Sequence, residues 1–471
     1  MRYFLLFCLC LSAVNINAQS CNCPAYFKDM VKKIETNYVG FNFKVTAANR
    51  DEYRQFTDSL EEKAAAADVP ACLSVMTKWL GFFKDYHVGI SINEDSSNYH
   101  RIRQAFANTE RHPMSEQAFI SYLDRNRGQL DSLEGIWEDE SKVYRIGIIR
   151  DEQAPDTFIG FVLDADSLFW MPGQVKMKIR KSAGHYQYVA FYSRIHQQSA
   201  PPLKVSNGRL ENGSFGSWYR SYPASQLATS VPGPGASLAP YFKVLDRKTC
   251  LIAIPRAMLE YKDEIDSMLI ANDALLKSTE HFIIDVRNNR GGSVLCFEKL
   301  LPLIYTNPMI TGGSSVLATE ENIKSYEDWN YPNISDSMKA IFQKEATALR
   351  AHKGTLYNLW PDDTLRMAVV YPYPKRVSVL INESCASSTE IFLLKAKQST
   401  KVKLYGRNTM GAVDYSDAAS LTLDGGLFRI RYSTSRANRL PKDPIDYIGI
   451  QPDEVIPDHV EDWVGYVKKK K

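Results

Sequence analysis

Two short apolar runs do most to limit what this chain can fold into. His281-Phe-Ile-Ile-Asp285-Val-Arg287 and Val377-Ser-Val-Leu-Ile-Asn382 read as strands, and each ends in a tight turn. The first turn, Asn288-Asn289-Arg290-Gly291-Gly292, has a backbone bare enough for close approach. The second, Glu383-Ser384-Cys385-Ala386, leads into a helix that opens at Ser387. Adding a strand over 250–255, helical stretches over 263–276 and 296–305 and a helix over 387–398, strand and helix alternate from Tyr241 onward. That alternation predicts an α/β domain over residues 241–471.

Upstream the patterning differs. Phe27, Met30, Val31, Ile34 and Tyr38 fall at helical spacing, and a second helix is expected around Ala64 to Phe83, leading into a strand after Lys84. Residues 19–115 read as a small helical domain. Over 128–225 the period becomes two: Val175, Met177 and Ile179 alternate with Lys176, Lys178 and Arg180, which predicts an antiparallel sheet or barrel. Val231-Pro-Gly-Pro-Gly-Ala-Ser is a linker by composition. Within 315–365, Met338, Ile341, Phe342 and Leu349 are spaced as one helical face, a lid or an ordinary insertion.

The N-terminus has the form of a secretory signal over residues 1–18: Arg2, an apolar run from Tyr3 to Val14, and Ala18 at the cut. The expectation is an exported protein, periplasmic or extracellular; Cys21 leaves open an outer-membrane lipid anchor. No other segment approaches the ~18 apolar residues of a membrane span. Export permits disulfides, with Cys23–Cys72 the preferred pair and Cys21 its rival. Cys250, Cys296 and Cys385 lie in apolar segments and read as buried thiols. The cysteine spacing carries no zinc signature, and a net charge of +3 gives no nucleic-acid patch.

A serine at a helix start sits beside unpaired N–H groups and the positive end of the helix dipole, where an oxyanion can be held. Ser387-Ser-Thr-Glu390 is also a capping box, which accounts for the same serine without chemistry. Ser384 and Ser388 are weaker candidates in the same turn. A nucleophilic hydroxyl needs a base, and among eight histidines His87, in Asp85-Tyr86-His87-Val88-Gly89, is the candidate.

Asp285-Val-Arg-Asn-Asn-Arg-Gly-Gly, Val379-Leu-Ile-Asn with Ala386-Ser387-Ser-Thr-Glu390, Gly406-Arg-Asn-Thr409-Met-Gly411 and Gly449-Ile-Gln-Pro452-Asp453 stand in the order and spacing of four motifs. The chain thereby resembles the C-terminal (tail-specific) processing peptidases over about residues 241–457, with a weaker match over 20–90. The resemblance implies a crotonase-like core of ββα units. One branch of that superfamily uses a lysine base just after the Gly-x-x-Thr-x-Gly turn; here that position is Ala412. The tricorn-core-like branch uses an Asp-x-His histidine, which Asp85-Tyr86-His87 resembles.

The resemblance also implies a role for Asp446 in holding the histidine through a bridging serine. It implies oxyanion N–H groups at Gly291 or Gly292 and at Ser388, with Arg290 in place of a usual glycine. Arg287 and Asn289 are expected to brace the turn. Residues 128–225 lack a PDZ-like carboxylate loop. The function expected is an exported serine endopeptidase acting on peptides or unfolded proteins with no cofactor or metal. Two alternatives stay open: an inactive relative that binds a peptide or apolar ligand, and an esterase or amidase using the same serine.

Overall fold

A computed structural model describes residues 22–206, 208–212, 216–223, 239–328 and 336–470. The signal-like segment, Cys21 and the Pro/Gly-rich linker lie outside the described residues.

The sheet that carries the two apolar runs has six strands. Tyr241–Asp246 forms an antiparallel edge. It is followed in parallel by Thr249–Ala253, His281–Asp285, Arg376–Ile381, Val402–Gly406 and Glu454–Val455. Register aligns Ile252, Ile284, Val379 and Leu404 across four strands. These residues pack on one face with Phe297, Phe392 and Leu393, while Leu251, Ile283 and Leu380 pack on the other against Ile456 and Val467. Burial on both faces explains why the strands read as continuous apolar runs. The helix Ser388–Ala396 follows the fourth strand. The mixed α/β architecture is thus observed.

The helix Cys23–Asn37 starts from Asn22, whose side chain accepts the Ala25 N–H, and buries Phe27, Met30 and Ile34. A disulfide joins Cys23 to Cys72, and Cys250, Cys296 and Cys385 are buried thiols. The helix expected over 64–83 is Val69–Leu80, continued by a 3₁₀ turn over Gly81–Phe83, and a further helix, Arg50–Ala64, precedes it. The start at Val69 has a local cause. Asp68 caps this helix by accepting the Ala71 N–H, and Pro70 in its first turn favours a start there. The stretch 263–276 divides into Lys262–Ala271 and Asp273–Leu276, and 294–300 is a 3₁₀ helix.

Residues 135–222 contain a nine-stranded antiparallel sheet that buries Trp137, Trp170 and Trp218. Its core is only partly its own: Ile136, Ile149, Phe161 and Leu163 pack separately with Phe119 and Leu123. One hydrophobic cluster runs from Phe27 and Trp79 through Trp137 and Phe169 to Phe428 and Tyr432. A further sheet ties both ends of the chain together. Gly89–Ile92 pairs with Phe428–Ala437, Gly89 opposite Arg431, and Phe428–Ala437 also pairs with Ser314–Leu317 and Tyr415–Thr422. Because Ser314–Leu317 and Leu356–Trp360 are strands of this sheet, the 315–365 segment is an insertion built into it rather than a hinged lid. The helix Asp336–Ala351 buries Ala346 and Leu349 but leaves Ile341 exposed, so the expected apolar face is shifted.

Candidate active site

Ser387 occupies the corner between the strand Arg376–Ile381 and the helix Ser388–Ala396, with φ 55° and ψ −121°. A non-glycine residue pays about 1–3 kcal/mol for such a conformation, which persists only where the surroundings impose it. The surroundings are Glu390. Its carboxylate is completely buried. One oxygen accepts the Ser387 N–H at 3.0 Å and the Ala412 N–H at 2.8 Å. The other accepts the Gly411 N–H at 2.8 Å and the Thr409 hydroxyl at 2.5 Å. Glu390 therefore does more than cap a helix: it clamps the serine corner to the 409–412 turn. Ala412, buried at the position where a lysine base would stand, offers only its N–H.

The glycine turn lies against this corner. A Cβ on Gly291 would stand 2.7 Å from the Ala386 carbonyl oxygen, 2.8 Å from the Ser387 Cβ and 3.0 Å from the Ser388 nitrogen. With φ 91° and 136°, Gly291 and Gly292 adopt backbone that side chains disfavour. Asn289 braces the turn: its amide donates to the Ile254 carbonyl, and its own carbonyl accepts the Ala386 N–H and the Thr389 hydroxyl. Arg287 forms a two-point pair with Asp285.

Gly291 must be corrected as an oxyanion donor, because its N–H is donated to the Asn289 side chain at 2.9 Å. The N–H groups of Gly292 and Ser388 have no hydrogen-bond partner among the described residues. A cavity of about 220 Å³ opens beside Ser388, walled by Val294, Phe297, Leu301, Ile391 and Phe392. The Ser388 hydroxyl, buried in that wall, has no hydrogen-bond partner among the described residues. A larger cavity of about 980 Å³ lies elsewhere, where Tyr26, Arg101, Phe106 and Trp170 meet.

His87 precedes the strand Gly89–Ile92, and its side chain is 15% exposed, open enough to exchange protons with a substrate. Asp85 accepts the His87 backbone N–H at 2.8 Å and the Ser433 hydroxyl at 3.0 Å. The His87 Nδ1 is 3.7 Å from Asp85 Oδ1, beyond hydrogen-bond length, and has no hydrogen-bond partner among the described residues. Arg431 holds the segment from behind by donating to the carbonyls of Tyr86 and His87.

A chain of contacts links the His87 segment to the serine corner. Tyr86 stacks on Tyr447, the Tyr447 N–H donates to the Gly411 carbonyl, and Gly411 is held by Glu390. No hydrogen bond joins Ser387 to His87 among the described residues; such contacts commonly tighten only when substrate binds.

Asp446 is not joined to His87 through a serine. The serine bound to a carboxylate here is Ser433, and its partner is Asp85. Asp446 Oδ1 instead accepts the N–H groups of Val413 and Asp414, while Oδ2 is buried with no hydrogen-bond partner among the described residues. Burial, with Asp414 and Asp85 nearby, pushes the Asp446 carboxyl up to about 7. Two contributors were not assigned from the sequence. Asp85 was legible only as part of the histidine motif, and Glu390 only as a cap. No cluster of metal-ligating side chains occurs among the described residues.

Residues 248–456 match the sequence profile of Peptidase family S41. A protein of Chlamydia trachomatis serovar D is 24% identical over 219 residues, 40% of this chain and 36% of that protein. An uncharacterized protein of Chlamydia muridarum is 23% identical over 209 residues, 38% of this chain and 35% of that protein. The aligned parts thus span about a third of these relatives' length. A solved structure of mature CPAF complexed with lactacystin shares the fold, with a TM-score of 0.50 at 15% identity over 93% of this chain and 94% of that one.

Proposed function

Since residues 248–456 belong to peptidase family S41, we propose that the chain is a serine endopeptidase that hydrolyses peptides or unfolded proteins. The observation that carries this reading is the strained Ser387 corner, held by Glu390 beside the open N–H groups of Ser388 and Gly292. Ser387 Oγ attacks the peptide carbonyl and His87 takes its proton. The developing oxyanion is received by the two open N–H groups. His87 then returns the proton to the leaving amine, and water repeats the sequence on the acyl-enzyme. Asp85 is the carboxylate beside the imidazole, and Asp446 adds a second acid near Asp85. The apolar cavity next to Ser388 takes the side chain on the acyl side of the scissile bond.

Export belongs to the same proposal. The signal-like residues 1–18 support it, as does the Cys23–Cys72 disulfide, which suits an oxidising compartment. N-terminal sequencing of the exported protein should begin at Gln19; a chain still starting at Met1 refutes export.

The test of activity is cleavage of casein by residues 19–471 beside Ser387→Ala and His87→Ala, with fluorophosphonate labelling in parallel. Each variant should lose roughly a thousandfold or more, as loss of one triad member does. A wild-type protein that neither cuts nor labels refutes the reading. Labelling with turnover of esters alone moves it to the esterase alternative.

A further inference from the structure

Tyr86, the middle residue of the Asp-Tyr-His run, has no part in the mechanism above. Its ring stacks on that of Tyr447, centroids 4.4 Å apart and planes within 5°. The two residues are 44% and 51% exposed, and Ile448 beside them 53%. Single exposed apolar residues are ordinary. This pair differs in three respects.

It stands next to the candidate base. It is rigid: Arg431 clamps the Tyr86 carbonyl, and the Tyr447 N–H is fixed to the Gly411 carbonyl. And Tyr447 is held at φ 63°, a conformation a large side chain adopts only at a cost. Nothing in the fold's core is gained by it, because both rings face solvent.

The chemistry supplies the direction. The group that protonates the leaving amine must stand on the leaving side of the scissile bond. Residues flanking His87 therefore face the substrate residues that follow that bond, while the cavity beside Ser388 faces those that precede it. Preorganised tyrosines offer a large contact area with little ordering cost. We propose that the stacked Tyr86–Tyr447 pair is a specificity platform that receives a large apolar or aromatic side chain immediately after the scissile bond. The proposal rests on the peptidase reading.

Two matched peptides test it, one with Phe and one with Gly after the cleaved bond. Wild type should favour the Phe peptide in kcat/KM. Tyr447→Ala should lower the Phe-to-Gly ratio about tenfold, the scale of one aromatic pair, and Tyr447→Phe should retain most of it. A ratio unchanged in Tyr447→Ala, or a wild type without preference, overturns the proposal. Binding of the same peptides to the Ser387→Ala protein separates the two readings. An inert wild type whose Ser387→Ala form still prefers the Phe peptide through Tyr447 removes the peptidase reading and keeps the aromatic platform. Equal binding of both peptides overturns the platform as well.

Discussion

Glu390→Gln is the substitution that most directly tests the clamp on the serine corner. The exchange conserves shape and removes one acceptor. The native carboxylate serves four donors, two at each oxygen. If the new amide nitrogen takes the place of Oε2, the N–H groups of Ser387 and Ala412 both face a donor. If it takes the place of Oε1, the Thr409 hydroxyl can turn to accept, although it already accepts the Ile450 N–H at 2.7 Å, and only the Gly411 N–H is stranded. The cheaper arrangement thus leaves one buried donor unpaired, at about 1–3 kcal/mol. The remaining bonds lose charge assistance, partly offset by not burying a charge.

A net loss of about 2 kcal/mol, some thirtyfold in the folded-to-unfolded ratio, is expected. Urea denaturation followed by tryptophan fluorescence reads it. Fluorophosphonate labelling of Ser387 should fall further, because a released corner relaxes from its strained φ. A variant within ~0.5 kcal/mol of wild type that also labels at the wild-type rate refutes the clamp.

Gly291→Ala should abolish labelling at Ser387 and destabilise the fold by about 1–3 kcal/mol, since φ 91° is strained for alanine and the methyl would meet Ala386 and Ser387. Gly312→Ala, where an added Cβ meets nothing within 4 Å, is the control; equal effects in the two variants sink the argument. Asp446→Asn should raise stability above pH 7. The folded carboxyl titrates at about 7 against an ordinary 3.8, so native protein binds more protons across that window, and wild-type stability falls as pH rises through it. Asparagine keeps an oxygen for Val413 and Asp414 and removes the slope. Urea midpoints between pH 4 and 8 should diverge upward for the variant; parallel profiles contradict the assignment.

How much of this was legible in the sequence depends on the range of the interaction. The two strands, their turns and Ser387 are local features, and each is visible in a window of about ten residues. The occupation of the Gly291 N–H is also legible, since Asn289 two residues earlier is a side chain that favours such a bond; the Asn-x-Gly pattern is its signal. Asp68 with Pro70 was an equally local signal for the helix start at Val69. The partners of the candidate base were not legible. Ser433 reaches Asp85 across 348 residues and Asp446 reaches Val413 across 33, and no periodicity encodes such meetings. The role of Glu390 was hidden for the same reason, because its capping position is local while the 409–412 turn it grips is not.

The pairing of Gly89–Ile92 with Phe428–Ala437 bears on the chain's own safety while it is being made. On the peptidase reading, His87 is synthesised early and Ser387 late, and the strand that seats the histidine comes later still. A nascent or translocating chain therefore holds the parts of a protease without a working one. Closing so long a loop is slow relative to local folding, so destructive activity is deferred until nearly the whole polypeptide has emerged and docked its first strand against one of its last.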